Sequence, residues 1–214
     1  MKFLDRHIGK QIRKPTGVIG SLFGHIMASD HKALTDWTLE QLRIQDNDHV
    51  LDLGYGSGMA IKMMNNIVNQ GYIVGIDYSP VMLRQAAKRN KLAIQKGKTE
   101  IYPGEVSALP FADASFDKAC AIETFYFWPN PPENLQEVKR ILKPGGIAAF
   151  TMEISKEGTN RSVISDNARR LGFPIYSGEE MKSLLSAAGF INVSYNTIPE
   201  RGNGWLYIAG SIYN

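Results

Sequence analysis

The stretch from Val50 to Gly58, VLDLGYGSG, places a carboxylate just before three glycines at alternate positions. Glycines in such a turn let the backbone approach a ligand closely and adopt dihedral angles that other residues avoid. About 20 residues further on, a second apolar run ends in Asp77, and an acidic group there is suited to binding both hydroxyls of a ribose. This combination predicts a binding site for a nucleoside-containing cofactor.

Asp52 distinguishes between the two cofactor classes that this pattern allows, a dinucleotide and S-adenosylmethionine. A dinucleotide would bring its pyrophosphate to the glycine turn, where a nearby carboxylate would repel it. S-adenosylmethionine instead carries an ammonium group on its methionine end, which a carboxylate would attract. The glycines also depart from the dinucleotide spacing G-x-G-x-x-G, because the third comes one residue early, at Gly58. The sequence therefore favours S-adenosylmethionine.

The elements that position these residues alternate between short apolar runs and helical stretches. This alternation predicts a largely parallel sheet with helices on both faces. The last two strands are joined only by PERGNG, so the final strand should be antiparallel to its neighbour. The predicted strands are DHVLDL, YIVGID, TEIYPG, FDKACAIE, GIAAFTME, INVSYNTI and WLYIAGSIY. The predicted helices cover residues 32–42, with Ser29 or Asp30 as cap, and 58–68, 80–92, 133–142 and 177–188.

Four segments, in order and at suitable spacing, resemble the class I S-adenosylmethionine-dependent methyltransferases across roughly residues 34–212. They are VLDLGYGSG, VGIDYSPVMLRQA, GEVSALPFADASFDKACAIET and EVKRILKPGGIAAF. The resemblance implies an α/β fold, a Rossmann-like doubly wound seven-stranded sheet in the order 3-2-1-4-5-7-6 with strand 7 antiparallel. We expect residues 33–214 to form this methyltransferase domain and residues 1–32 to form an N-terminal helical cap or lid.

The resemblance also implies roles for individual residues toward S-adenosylmethionine and its product, S-adenosylhomocysteine. Asp52 would orient the methionine amino group, and Asp77 would bind both ribose hydroxyls. Glu105 would accept from the adenine N6 amine, and the backbone of Glu123 would lie near the sulfur. The remaining cofactor-binding residues would be Gly54, Tyr55, Gly56 and Gly58 along the methionine, Tyr78 on the adenine, and the Val106 amide at a ring nitrogen.

Residues after the fourth strand are candidates for contact with the methyl acceptor. The aromatic run Phe125 to Trp128 is consecutive and cannot lie entirely in a core, so we expect Phe125, Tyr126 and Trp128 to line a substrate pocket. The alternative is packing between a helix and the N-terminal cap. A general base is needed only if the acceptor must lose a proton. The candidates are Glu123 and His25, with His31 and Glu153 as weaker ones.

Composition excludes several other classes of protein. The net charge of +3 over 214 residues gives no reason to expect a nucleic-acid partner, and no apolar run approaches a membrane span. The single cysteine, Cys120, excludes an internal disulfide and a multi-cysteine metal site, and fits a cytoplasmic protein. We expect a monomer or homodimer without a metal.

Methyl transfer to a small organic acceptor, by in-line displacement, is the function that these observations favour. The shared cofactor segments are most similar to the branch that methylates quinones and sterols. Two alternatives stay open on sequence alone. One is a non-catalytic S-adenosylmethionine-binding sensor or assembly protein, and the other is a nicotinamide-dependent oxidoreductase.

Overall fold

The structure, a computed structural model, describes residues 31–159 and 172–213. Nearly all of the predicted N-terminal cap, including His25, lies outside the described residues. The first described helix, α1 (Lys32–Leu42), has the predicted bounds. Its N-cap is His31, so the prediction of Ser29 or Asp30 as the cap was wrong.

One sheet of seven strands forms the centre of the described fold, in the order β3-β2-β1-β4-β5-β7-β6. Strands β1 to β5 are parallel to one another, whereas β7 pairs antiparallel with both β5 and β6. The predicted strand order and the antiparallel final strand are therefore confirmed. The strands are β1 (His49–Leu53), β2 (Tyr72–Asp77), β3 (Thr99–Pro103), β4 (Phe116–Ile122), β5 (Leu142–Met152), β6 (Ile191–Ile198) and β7 (Trp205–Ser211).

The helices flank this sheet, and three of them differ in length from the prediction. They are α2 (Met59–Met64), α3 (Pro80–Arg89), α4 (Lys91–Gln95), α5 (Pro131–Ile141) and α6 (Gly178–Ala187). The prediction of one helix over 80–92 was wrong, because the chain breaks at Asn90 into α3 and α4. Helix α2 stops at Met64, short of Val68, and α5 begins two residues earlier than predicted. None of the described helices has the length and apolar character needed to cross a bilayer.

Local signals explain where α3 and α6 begin. The Ser79 side chain accepts from the Met82 N–H, with Pro80 in the first turn, where a missing N–H costs nothing. The Ser177 side chain accepts from the Glu180 N–H, and the Glu180 carboxylate accepts from the Ser177 N–H in return. This capping box satisfies backbone N–H groups that would otherwise lack partners. Both predicted caps are confirmed.

Strand β5 begins at Leu142, earlier than predicted, because the KPGG segment stays within the sheet. Leu142 pairs with Phe116 before an irregularity, and regular pairing resumes with Ile147 opposite Lys118. Side chains from both faces of the sheet are buried, in two apolar clusters under the flanking helices. The sheet is thus fixed on both faces, and the carboxyl ends of β1, β2, β4 and β5 form one rigid edge where ligands bind in folds of this kind.

Candidate active site

A cavity of about 280 Å³ opens at the carboxyl ends of β1, β2 and β4. Its size is close to the lower end of small-molecule pockets, about 300 Å³. Its described walls are formed by the loops that follow these strands and β3, together with residues of α1, α2 and α3. The lining residues are His31, Thr35, Asp52, Leu53, Gly54, Tyr55, Gly56, Ser57, Met59, Ala60, Ile76, Asp77, Tyr78, Met82, Gly104, Glu105, Val106, Ile122, Glu123, Thr124, Phe127, Trp128 and Pro129.

Asp52 is a buried carboxylate that faces this cavity, with 1% of its surface exposed. The Cys120 thiol lies 3.9 Å from its Oδ1, while Oδ2 has no hydrogen-bond partner among the described residues. Burial and, to a smaller extent, the charge of Asp77 together raise the pKa of Asp52 to about 7. A buried oxygen without a donor is costly, so this atom fits a ligand that supplies a positively charged donor. The methionine ammonium of S-adenosylmethionine is such a group.

Asp77 holds the glycine loop in place from the end of β2. Its Oδ2 accepts from the Gly56 N–H at 2.9 Å, and its Oδ1 accepts from the Ser79 N–H at 2.8 Å. Burial raises the pKa of this carboxyl, and the two N–H donors act in the opposite direction. Tyr78, Glu105 and Val106 line the cavity beside it, where a nucleoside bound to Asp77 would extend. The structure therefore brings together the residues predicted for the ribose and the adenine.

The turn between β1 and α2 is held on both sides by side-chain contacts. Gly54 has a φ of +84°, and a Cβ on it would lie 2.5 Å from the Thr124 methyl carbon. Thr124 in turn donates to the Leu53 carbonyl at 2.8 Å. On the other side, the Arg89 guanidinium donates to the Ser57 carbonyl at 2.8 Å. The loop is thus formed before any ligand arrives, which reduces the entropy lost on binding.

Gly58 is required for packing rather than for lining the cavity. It has a φ of +75° and is the N-cap of α2, and it is not among the cavity-lining residues. A Cβ there would lie 2.8 Å from the Ala86 Cβ and 2.6 Å from the Asn90 amide nitrogen. The Asn90 amide donates to the Gly58 carbonyl at 3.0 Å. The absence of a side chain lets α2 and α3 meet at this point.

We expect the variant Gly58→Ala to lose about 2–5 kcal/mol of unfolding free energy, from the left-handed backbone and the clash with Ala86 together. Gly97→Ala is the matched control, because Gly97 has a φ of +69° and open space around its Cα. That variant should lose only about 1–2 kcal/mol, from the backbone alone. Urea denaturation of the two variants measures the difference. Equal losses would contradict the packing role of Gly58.

Glu123 follows β4 and is held by two donors, with a backbone φ of +60° that non-glycine residues rarely adopt. Its Oε1 accepts from the Tyr126 hydroxyl at 2.9 Å and from the Glu153 backbone N–H. Burial raises the pKa of Glu123 to about 7, although the charge of His31 lowers it. Because its pKa is close to neutral, this carboxyl is suited to accepting a proton in the cavity.

The aromatic run after β4 is divided between the core and the cavity. A single turn of 3₁₀ helix, Phe125–Phe127, rotates successive side chains in different directions. Phe125 is fully buried against Trp128 and Phe150, and the buried Tyr126 packs on Phe173. Phe127 and Trp128 line the cavity. The structure thus places Phe125 and Tyr126 in the core rather than on the cavity wall, where the sequence had placed them.

Sequence reasoning also missed Thr124 and Thr35 on the cavity wall and did not connect His31 with Glu153. The His31 Nε2 lies 3.1 Å from Glu153 Oε2, and His31 lines the cavity beside Glu123. One feature of the sequence could have indicated that Glu123 and Glu153 lie close together: each directly follows one of two neighbouring parallel strands. His25 lies outside the described residues.

Comparison with known proteins agrees with this geometry. Residues 51–150 match the family model described as a methyltransferase domain. The chain is 33% identical over 177 residues to the uncharacterized methyltransferase YdaC of Bacillus subtilis, covering 82% of this chain and 90% of that protein.

Solved structures share the fold. A chain from the complex between the Haloferax volcanii Trm112 methyltransferase activator and its methyltransferase is similar with a TM-score of 0.77 and 23% identity, covering 91% of this chain and 94% of that one. Phosphoethanolamine N-methyltransferase 2 of Haemonchus contortus, in complex with S-adenosyl-L-methionine, has a TM-score of 0.73 and 15% identity, covering 86% and 53%. The strand order, the carboxylates at the ends of β1 and β2 and these relatives agree: the chain belongs to the class I S-adenosylmethionine-dependent methyltransferases.

Proposed function

We propose that this methyltransferase acts on a small organic acceptor, by in-line displacement of the methyl group from S-adenosylmethionine. The observation that carries the proposal is a cavity whose wall combines carboxylates suited to the cofactor with aromatic side chains. Asp52 and Asp77 line this cavity together with Phe127 and Trp128. A pocket of about 280 Å³ has the size of a small-molecule site. In this proposal the protein is cytoplasmic, a monomer or homodimer, and has no nucleic-acid partner.

The residues contribute chiefly by placing the two reactants. S-adenosylmethionine supplies a methyl group that its own sulfonium has activated. Asp52 and the preformed glycine loop would hold the methionine part, Asp77 the ribose, and Tyr78, Glu105 and Val106 the adenine. The aromatic side chains would align the acceptor with the methyl carbon, and such alignment lowers the barrier of a displacement. Walls that exclude water strengthen every electrostatic interaction inside the cavity.

The direct test is to incubate the protein with S-adenosylmethionine labelled in its methyl group, in the presence of small-molecule and macromolecular fractions of a cell extract. We expect the label to appear in dialysable small molecules. Label on protein or RNA would contradict the proposal. Tight cofactor binding with no labelled product would instead favour a non-catalytic sensor.

Glu123 is, in this proposal, the group that accepts a proton from the acceptor. We expect Glu123→Gln to slow methyl transfer at least tenfold, because general-base catalysis usually contributes about 10²- to 10⁴-fold, while S-adenosylhomocysteine binds within about threefold of wild type. Glu137→Gln is the matched control, a half-buried glutamate that accepts from the Leu109 N–H and Arg140 instead. A loss of less than tenfold in steady-state rate would exclude Glu123 as the base.

Phe127 should contribute to acceptor binding and not to cofactor binding. We expect Phe127→Ala to raise the KM for the acceptor at least tenfold, since about 2 kcal/mol of aromatic contact would be lost. Phe111→Ala is the control, because Phe111 packs on Tyr102 and Phe116 and does not line the cavity. Calorimetry with S-adenosylhomocysteine checks that the affinity for the cofactor product is unchanged in this variant. If cofactor binding weakens by the same factor as the acceptor KM rises, Phe127 has a merely structural role.

A further inference from the structure

Three ionisable side chains from separate parts of the chain meet at one side of the cavity. His31 precedes α1, Glu123 follows β4 and Glu153 follows β5. One imidazole nitrogen and one oxygen from each carboxylate all lie within 4.8 Å of one another. His31 and Glu123 also line the cavity that holds the cofactor residues. We call these three residues the His31–Glu123–Glu153 cluster.

The surrounding structure holds each member of the cluster in place. The Tyr126 hydroxyl donates to Glu123 at 2.9 Å and accepts from the Ile154 N–H at 3.3 Å, so it ties the loop after β4 to the end of β5. The Thr38 and Thr151 hydroxyls, 2.9 Å apart and buried, fix α1 on β5. Groups positioned in this way keep their geometry when a ligand binds, and such preorganisation favours affinity.

The charges of the cluster indicate what it would bind. The His31 imidazole lies 3.1 Å from Glu153 and also close to Glu123, so when it is protonated one positive charge faces two carboxylates and the cluster keeps one net negative charge when both are ionised. A partly buried carboxylate is stabilised by an opposite charge that also donates hydrogen bonds. A neutral acceptor would leave this charge unpaired, and an anionic acceptor would be repelled. A primary or secondary ammonium supplies one positive charge and at least two N–H donors.

The aromatic wall beside the cluster fits the remainder of such an acceptor. Phe127 and Trp128 line the same cavity as Glu123. Aromatic faces attract cations and pack against apolar groups. We propose that the His31–Glu123–Glu153 cluster recognises the amino group of the acceptor, which is an amine carrying an apolar or aromatic substituent. This inference rests on the proposed function and specifies its substrate class.

The reaction balances with the groups present. The bound ammonium transfers one proton to the Glu123 carboxylate and becomes a neutral amine. Its nitrogen lone pair forms the bond to the methyl carbon while the carbon–sulfur bond breaks, and that electron pair stays on sulfur. The products are an N-methylammonium and S-adenosylhomocysteine, and Glu123 then releases its proton to water.

The experiment compares matched acceptors on the cofactor-bound protein. Benzylamine, 2-phenylethylamine and tryptamine are each paired with the corresponding alcohol and carboxylic acid. Calorimetry measures their binding to the S-adenosylhomocysteine complex, and labelled S-adenosylmethionine measures their methylation. We expect at least one amine to bind tenfold or more tightly than its alcohol and acid, and to be methylated on nitrogen.

Variants connect that preference to the cluster. We expect Glu153→Gln and His31→Asn each to reduce the amine preference at least fivefold, whereas Glu40→Gln, an exposed carboxylate on α1, leaves it unchanged. Retained S-adenosylhomocysteine binding shows that a variant is folded. If one variant does not fold, the other variant and the comparison of acceptors on the wild-type protein decide whether the cluster recognises the amine.

Several outcomes would overturn the inference. One is equal or better binding of every alcohol or acid, and another is methylation of oxygen or carbon acceptors only. A third is saturable binding of Mn²⁺ or Zn²⁺ that both variants abolish, which would make the cluster a metal centre. In the first two cases methylation of a small molecule would still uphold the proposed function. Failure to bind S-adenosylhomocysteine would instead contradict the proposed function itself.

Discussion

The variant Asp77→Ala should lose at least about 100-fold in affinity for S-adenosylmethionine and S-adenosylhomocysteine, the largest effect on cofactor affinity that we expect from a single substitution. Hydrogen bonds to a charged group contribute about 1.5–3 kcal/mol each, and 1.4 kcal/mol is tenfold in affinity. The variant would lose the carboxylate that faces the ribose. It would also release the Gly56 N–H, which Asp77 holds at 2.9 Å, so the glycine loop would no longer be fixed.

Titration calorimetry at pH 7.5 measures this effect, with Asp36→Ala as the control. Asp36 is exposed on α1 and pairs with Lys32, so its loss should leave cofactor affinity unchanged. Thermal unfolding of the variants shows whether they are folded, and Asp77→Asn replaces the alanine variant if that one is not. Affinity within threefold of wild type would contradict the assignment of Asp77 to the ribose.

The second large effect concerns Asp52 and its dependence on pH. In the free protein, burial raises the pKa of Asp52 to about 7, above its ordinary value near 4. Between these two values the folded protein binds a proton that the unfolded chain has released, so Asp52 lowers the stability of the free protein as pH rises toward 7. An ammonium beside Oδ2 favours the ionised carboxylate. Cofactor affinity should therefore rise by up to about tenfold per pH unit from pH 5.5 to 7.

Asp52→Asn should have opposite effects on stability and on binding. The free variant should be more stable than wild type at pH 8, because no buried charge has to form. Its affinity for the cofactor should fall about 10- to 100-fold, since a charged hydrogen bond is lost, and its pH dependence should flatten.

Unfolding midpoints and calorimetric titrations across pH 5.5–8.5 test both expectations for this variant. Glu123 also titrates near pH 7, so only the difference between wild type and variant reports on Asp52. Asp36→Asn, on the exposed face of α1, should behave as wild type. A variant that is less stable and binds the cofactor equally well would contradict the assignment of Asp52 to the ammonium.

The sequence predicted the sheet almost completely, because its signals are local and strong. Most strands are compact apolar runs, β6 alternates between apolar and polar residues, and the short PERGNG connection favours an antiparallel pair. Helix ends were less predictable. At the break between α3 and α4, the Asn90 side-chain amide donates both to the Ala86 carbonyl of α3 and to the distant Gly58 carbonyl, a tertiary contact that local sequence does not reveal.

The cofactor end of the site was also predictable, whereas the acceptor end was only partly so. Asp52 and Asp77 lie at the carboxyl ends of β1 and β2, and the sequence is enough to locate these strand ends. The orientation of Phe125 and Phe127 depends on a 3₁₀ turn, which a run of consecutive aromatic residues does not predict. The pairing of His31 with Glu153 spans more than a hundred residues and arises only when α1 packs on β5. Side-chain direction in loops is set by such distant contacts.

The position of β7 between β5 and β6 constrains the order in which this sheet can assemble. Strand β6 precedes β7 along the chain, yet within the described sheet it pairs only with β7. Strand β6 can therefore join the described sheet only through β7, which must itself be synthesised and pair with β5. The two strands must therefore dock as a preformed hairpin or wait for one another. Since α6 packs on both β6 and β7, the helix and the two strands form one carboxyl-terminal unit whose pairing with the rest of the described sheet runs through β7.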